Sequence, residues 1–339
     1  MSETFRSLMP LNWDALVGEA LRRRKVERLT QREHAALANV SIPTIAAFER
    51  GETTLTLAKA FDILRVVGLV AEAGEGGAQE AFVRAAYERW RTLTSKLDPN
   101  SPGRFPHGWY RFDYWLEGDI QILELDQFQR QIEKAVGRGP SWPLFHAPLA
   151  PEAAPREVEE TIECWLPPVR PWAGIVLNDA AHCDFWRAAP EGRLLVMRGY
   201  SEDGQATFPP AAILDTALPI WFIGEAMLHS ARLAALLRKN ETSGITVHFR
   251  ATYSGLTGRV LRPWTKPLGS LMIEGQAARS DEAVLEISVA ASQIEDDLAA
   301  CVFPLITSLY ERFGVAGLSP IRVEDEIRLM LGQGNRSSR

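Results

Sequence analysis

The sequence predicts two domains of different class: a small all-α domain at the N-terminus, then a larger α+β domain with a mixed or antiparallel sheet. Three observations carry this. Residues 13–67 show only helical periodicities and helix-end signals. A small, flexible run, Ala71-Glu72-Ala73-Gly74-Glu75-Gly76-Gly77, follows and reads as a linker. Beyond residue 107, alternating strand patterns mix with long helical ones without strict alternation, which favours layered α+β over a doubly wound sheet. The expected boundaries are 1–70 for the first domain, 71–106 for linker and connecting helix, and 107–339 for the second.

Composition fits this division. The chain has 339 residues, 46% hydrophobic and 24% charged, ordinary for a globular protein with a real core. No run of about 18 apolar residues is present, so no transmembrane helix and no membrane partner is expected. The start, Met-Ser-Glu-Thr-Phe-Arg, lacks an apolar signal segment, which makes a cytoplasmic location the expectation. Cys164, Cys183 and Cys301 form no CxxC pair, so neither a disulfide framework nor a structural zinc site is expected. Net charge is −6, yet residues 1–70 carry ten Lys/Arg against eight Asp/Glu. A mildly basic head on an acidic body suits a small DNA-contacting module joined to something else.

The head reads as four helices. Leu16, Val17, Ala20 and Leu21 give residues 13–24 an apolar stripe, ending in Arg22-Arg23-Arg24-Lys25. Thr30 is a helix N-cap with Glu33 three residues on, a capping box. Small Ala35 lets a second helix cross closely, and Asn39 suits the left-handed conformation of a tight turn. Ser41 caps the third helix, which tolerates Pro43 in its first turn. Ile45 and Phe48 face inward, and Gly51 ends the helix. Residues 56–67, through Leu57, Ala60, Phe61, Leu64 and Val67, close the bundle.

Leu29-Thr30-Gln31, Ala35, Val40-Ser41, Ile45, Phe48-Glu49-Arg50-Gly51 and then Leu57, Ala60 and Leu64 agree in register with a known pattern. The stretch resembles the Cro/C1-type helix-turn-helix of the XRE family of transcriptional regulators, over about residues 12–69. The resemblance implies that the second motif helix docks in the major groove. Thr30 and Gln31 would then meet backbone or a base edge. Ser41, Ile42, Pro43, Thr44 and Ala47 would face the groove, and Arg50 would lie near phosphate. Arg22, Arg23, Arg24 and Lys25 are further phosphate candidates. The sequence departs from the family at Ile42, Pro43 and Ala47, where members often carry Gln, Arg or Asn. Apolar side chains make no bidentate hydrogen bonds to bases, which leaves Gln31, Ser41 and Thr44, thymine methyls or DNA shape to select sequence.

In the rest of the chain, residues 78–97 read as a helix with Phe82, Ala86, Trp90, Leu93 and Leu97 on one side, broken firmly at residues 98–106. Strands are expected at 109–116, 158–166, 185–187 with 193–200 as a hairpin, 245–253 and around Leu285, Ile287 and Val289. Helices are expected at 127–136, 219–238, 294–313 with a kink at Pro304, and 323–330. Residues 140–155 read as a loop and 332–339 as a tail.

Catalytic signatures are missing: there is no P-loop, HExxH or GxSxG. Four weaker constellations remain. His182-Cys183-Asp184 reads as loop and strand-start residues, since neighbours along a strand point to opposite faces. Arg198 to Asp203 reads as a charged turn, Glu225 and His229 as a satisfied internal pair, and His248 with Arg250 as an exposed polar strand face. Nine of the ten tryptophans lie beyond residue 89, which suits a pocket, an interface or a large core.

The expectation is a homodimeric, sequence-specific regulator of double-stranded operator DNA, with no enzymatic activity and no cofactor. Its second domain would dimerise and sense a small-molecule or protein effector. The alternatives are a DNA-targeted enzyme using His182, Glu202, Asp203, Glu225 and His229, or a toxin–antitoxin or defence-system regulator clasping a protein partner.

Overall fold

The computed structural model describes residues 12–70, 74–137, 142–170, 175–176, 179–204, 207–265 and 274–334. It divides into two compact units, Met1–Ala85 and Ala86–Arg339.

The first unit contains α1 (Trp13–Val26), α2 (Gln31–Leu37), α3 (Ile42–Glu49), α4 (Leu57–Val66) and the start of α5 (Gly74–Thr94). Local chemistry sets each end. Asn12 caps α1 by accepting from Ala15 N at 3.0 Å, and Thr30 and Glu33 form the reciprocal capping box of α2. Ser41 caps α3 and Thr56 caps α4. Asn39 (φ 53°) and Gly51 (φ 77°) take the left-handed conformation that lets the chain leave α2 and α3. The core is Ala35, Ile45, Phe48 and Ile63, each fully buried. Trp13 closes it from α1, edge-on to Phe48 at 5.5 Å, with its indole N–H donating to Gly51 O at 3.0 Å. Of the expected linker, Gly74 to Gly77 are the first turn of α5, whereas Ala71 to Ala73 lie outside the described residues. Glycine weakens a helix by about 1 kcal/mol per residue but does not forbid one. Within α5, Val83 is buried in this unit, and Ala86, Tyr87 and Trp90, which belong to the second unit, are buried there.

The second unit is built on a seven-stranded sheet in the order β11-β9-β1-β7-β6-β3-β2, antiparallel at every pairing. In chain order these strands are β1 (Trp109–Gly118), β2 (Arg156–Val158), β3 (Thr161–Trp165), β6 (Phe185–Ala189), β7 (Arg193–Gly199), β9 (Ile245–Tyr253) and β11 (Ala283–Ala290). Two small ladders stand apart: β4 (Val169–Arg170) with β5 (Ile175–Val176), and β8 (Ile213–Asp215) with β10 (Val260–Arg262). Among the described residues this unit also holds the rest of α5 and five further α-helices: α6 (Leu125–Ala135), α7 (Leu218–Leu237), α8 (Ala291–Asp296), α9 (Leu298–Glu311) and α10 (Pro320–Gly334). This is the α+β class with an antiparallel sheet that the patterning predicts.

Period-2 alternation puts Tyr110, Phe112, Tyr114 and Leu116 of β1 on one sheet face with Val247, Phe249, Ala251 and Tyr253 of β9. The same core cluster takes in Ile220, Ile223 and Met227 of α7 and Val302, Leu305 and Leu309 of α9. By length and composition α7 could cross a membrane, but 78% of its apolar window is buried in this core, so here it is a core helix.

Three expectations need correction. The single strand over 158–166 is the hairpin β2–β3, turning at Glu159 (φ 48°) and Glu160 (φ 61°). Two consecutive positive φ values define the tight turn that matches strand twist, and Glu-Glu gives no sign of it. The single helix over 294–313 is two, parted at Asp297, whose side chain caps α9 by accepting from Ala300 N at 3.0 Å. The second face of β9 is not exposed: Arg250 and Thr252 are 3% and 1% accessible.

Candidate nucleic-acid interface

The motif helices present a short surface whose frame is fixed by one carboxylate. Glu49, at the end of α3, accepts from Arg24 Nε of α1 at 2.5 Å and from Gln31 Nε2 of α2 at 2.7 Å. A second Arg24 nitrogen donates to Leu29 O at 2.6 Å. The Arg24 and Glu49 side chains are only 12% and 11% exposed, which separates this ion pair from the surface pairs around it. His34 lies beneath, its Nε2–H donating to Ile63 O at 3.0 Å; burial lowers its pKa and keeps the ring neutral.

The sequence candidates thus fall into two groups. Arg23 and Arg24 are engaged within the unit: Arg23 pairs with Glu19 and donates to the Val67 and Gly68 carbonyls that end α4, both at 3.0 Å. Thr30 is fixed by its cap, while Gln31 is exposed but tied to Glu49. The others line the solvent side of α3. Ser41 and Pro43 are exposed, and Ile42, Thr44 and Ala47 are half-buried. The Ser41 and Thr44 hydroxyls bond each other at 2.8 Å, and Ser41 Oγ also accepts from Thr44 N. Arg50 is exposed and pairs with Glu52 at 2.7 Å. No local pattern in the sequence marks Glu49 as the tie between three helices. Its only sign in the chain is an opposite charge at Arg24, 25 residues away.

The four constellations of the second unit are structural ties. Asp184 and Arg198 are fully buried and form a two-toothed ion pair at 2.7 and 2.6 Å. Arg198 also donates to the Trp142 and Pro143 carbonyls, and the Trp142 indole donates to Asp184. His182 pairs with Asp179 at 2.7 Å. Burial works to raise the Asp179 carboxyl, but the His182 ring and the Ala181 N–H outweigh it and hold it below its ordinary value. Asp203 pairs with Arg259, and Glu202 accepts from Asp215 N at 2.7 Å. Burial pushes the Glu202 carboxyl up to about 7. Glu225 accepts from Leu144 N at 2.9 Å. His229 accepts from the Tyr114 hydroxyl at 2.8 Å and donates to Ile132 O at 3.2 Å, and burial takes its pKa down to about 3.

On the second sheet face, Asp113 lies between Arg111 and Arg250, each bonded to it. His248 stacks on Trp115 at 4.4 Å and reaches Glu117 and Ser288. A small open cleft of about 100 Å³ lies where the end of α7 meets the start of β9 and α8. Its walls include Ala234, Arg238, Ser243 and Glu295, but none of His182, Glu202, Asp203, Glu225 or His229. No cluster with metal-binding composition occurs among the described residues.

Residues 22–71 match the family model described as helix-turn-helix. This segment is an XRE-type helix-turn-helix domain. The helix-turn-helix family supports a DNA-binding regulator, and the capped α2–turn–α3 geometry is its motif. The rest of the chain matches no family model, and neither the curated proteins nor the solved structures gave a match.

Proposed function

We propose that the chain is a sequence-specific regulator of transcription that binds operator DNA as a homodimer, represses from it, and acts in the cytoplasm without catalysing a reaction. The observation that carries this is the helix-turn-helix frame, with the solvent face of α3 left open beside its Glu49 tie. Two heads on one duplex require half-sites about one helical turn apart. The larger domain supplies the dimer contact and the response to a small-molecule or protein effector, which would alter the freedom or spacing of the heads. Favouring a non-enzymatic body, each of the carboxylates and histidines considered for catalysis already holds backbone or a counter-ion.

The test is binding of the full chain to duplexes enriched from a random-sequence pool, followed by fluorescence anisotropy between 50 and 200 mM salt. With about three phosphate contacts per head, log K should fall with log salt at a slope of about −5. A single enriched half-site, or a protein that stays monomeric on DNA, would remove the dimer from the reading. Failure to enrich any sequence would remove the reading itself.

A further inference from the structure

The solvent face of α3 has an unusual chemistry for a helix that reads DNA. Between Ile42 and Glu49 it carries no Arg, Lys, Asn or Gln, the side chains that grip guanine or adenine edges with two hydrogen bonds. The polar groups beside it are already partnered: Gln31 by Glu49, Ser41 and Thr44 by each other, and Arg50 by Glu52. What α3 offers to solvent is hydrocarbon: the Pro43 ring, exposed, with Ile42, Ala46 and Ala47 half-buried beside it.

We propose that this helix selects its site by packing Ile42, Pro43 and Ala47 against thymine methyl groups, so that each half-site is defined by two A·T pairs at fixed positions. The inference rests on the DNA-binding reading above. In the major groove the thymine methyl is the one apolar mark that distinguishes base pairs, and an apolar side chain complements it without leaving an unsatisfied donor. Spacing agrees with this. Pro43 and Ala47 are four residues apart on one helix face, about 5–6 Å between Cβ atoms. Successive base pairs rise about 3.4 Å, so the two side chains meet methyls one or two steps apart. Arg50 stands at the far end of α3, where exchanging its exposed Glu52 for a phosphate anchors the helix without reading sequence.

The experiment replaces, one position at a time, thymine by deoxyuridine in duplexes enriched by the full-length protein. Deoxyuridine differs from thymidine only by the missing methyl. Two positions per half-site should weaken binding about fourfold each, the contribution of one buried methyl-sized group. Substitution of 7-deazaguanine or 7-deazaadenine, which removes the major-groove N7 acceptor, should change affinity less than twofold. Ile42→Ala and Ala47→Gly should each blunt the deoxyuridine effect at one position per half-site without flattening the salt slope. Uniform tolerance of deoxyuridine, or a tenfold loss with either deazapurine, overturns the inference while leaving DNA binding intact. Failure to enrich any duplex overturns both.

Discussion

His229 and Glu202 should cancel each other's effect on stability between pH 4.5 and 6.5, and separating them tests both assignments. His229 is buried, and its pKa falls from 6.5 to about 3. Below pH 6.5 the unfolded chain takes a proton there that the folded chain refuses, so acidification removes stability down to about pH 3. Glu202 is also buried, and its pKa rises from 4.5 to about 7. Below pH 7 the folded chain takes a proton that the unfolded chain does not, so acidification adds stability down to pH 4.5. Each proton is worth about 1.4 kcal/mol per pH unit. Over the shared window, 4.5 to 6.5, each group contributes about 2.7 kcal/mol, with opposite sign. The Glu202→Gln variant keeps an oxygen for the Asp215 N–H but loses the proton uptake. Its unfolding free energy, from urea melts followed by tryptophan fluorescence, should fall by about 2–3 kcal/mol from pH 6.5 to 4.5 relative to wild type. His229→Gln should move the other way by a similar amount. If Glu202→Gln shows the same pH profile as wild type, Glu202 is ionised like an ordinary carboxylate and the reasoning fails.

Three other perturbations follow from the ties described. Glu49→Ala leaves the Arg24 guanidinium without its counter-ion in a site 12% exposed. The cost should be about 2 kcal/mol, between exposed and buried pairs, read as faster amide hydrogen exchange across α2 and α3 in the full chain. At Asn39 (φ 53°), replacement by Val should cost at least about 1 kcal/mol and lower the first thermal transition, whereas Gly should be neutral. Arg198→Met strands the buried Asp184 carboxylate and should cost about 3–5 kcal/mol in urea melts, with Asp184→Asn in the same chain recovering part of it.

The N-terminal unit is legible because its signals are local. Thr30 with Glu33, Asn39, Ser41 with Pro43, and Gly51 each state a helix end within a few residues, and each end falls where that chemistry places it. The second unit is legible in class but less so in detail. Strong alternation locates β9, and the Pro190-Glu191-Gly192 turn locates the β6–β7 hairpin. The β2–β3 hairpin is hidden because two glutamates adopt a conformation that glycine or asparagine usually marks. Arg250 reads as exposed because alternation reports one buried face, while burial of the other depends on partners distant in sequence, such as Asp113. The Glu49 tie is invisible for the same reason: three helices must first assemble before Arg24, Gln31 and Glu49 become neighbours.

That tie separates two kinds of position within the same eight residues. Ile45, Phe48 and Glu49 hold α3 to its neighbours, whereas Pro43 is exposed and Ile42, Thr44 and Ala47 keep part of their surface in solvent. If α3 reads DNA as proposed, heredity would rewrite its address one outward side chain at a time while the buried side chains keep the domain folded. A lineage of such proteins can acquire new targets by small steps, each tolerated by the scaffold before it is tested on DNA.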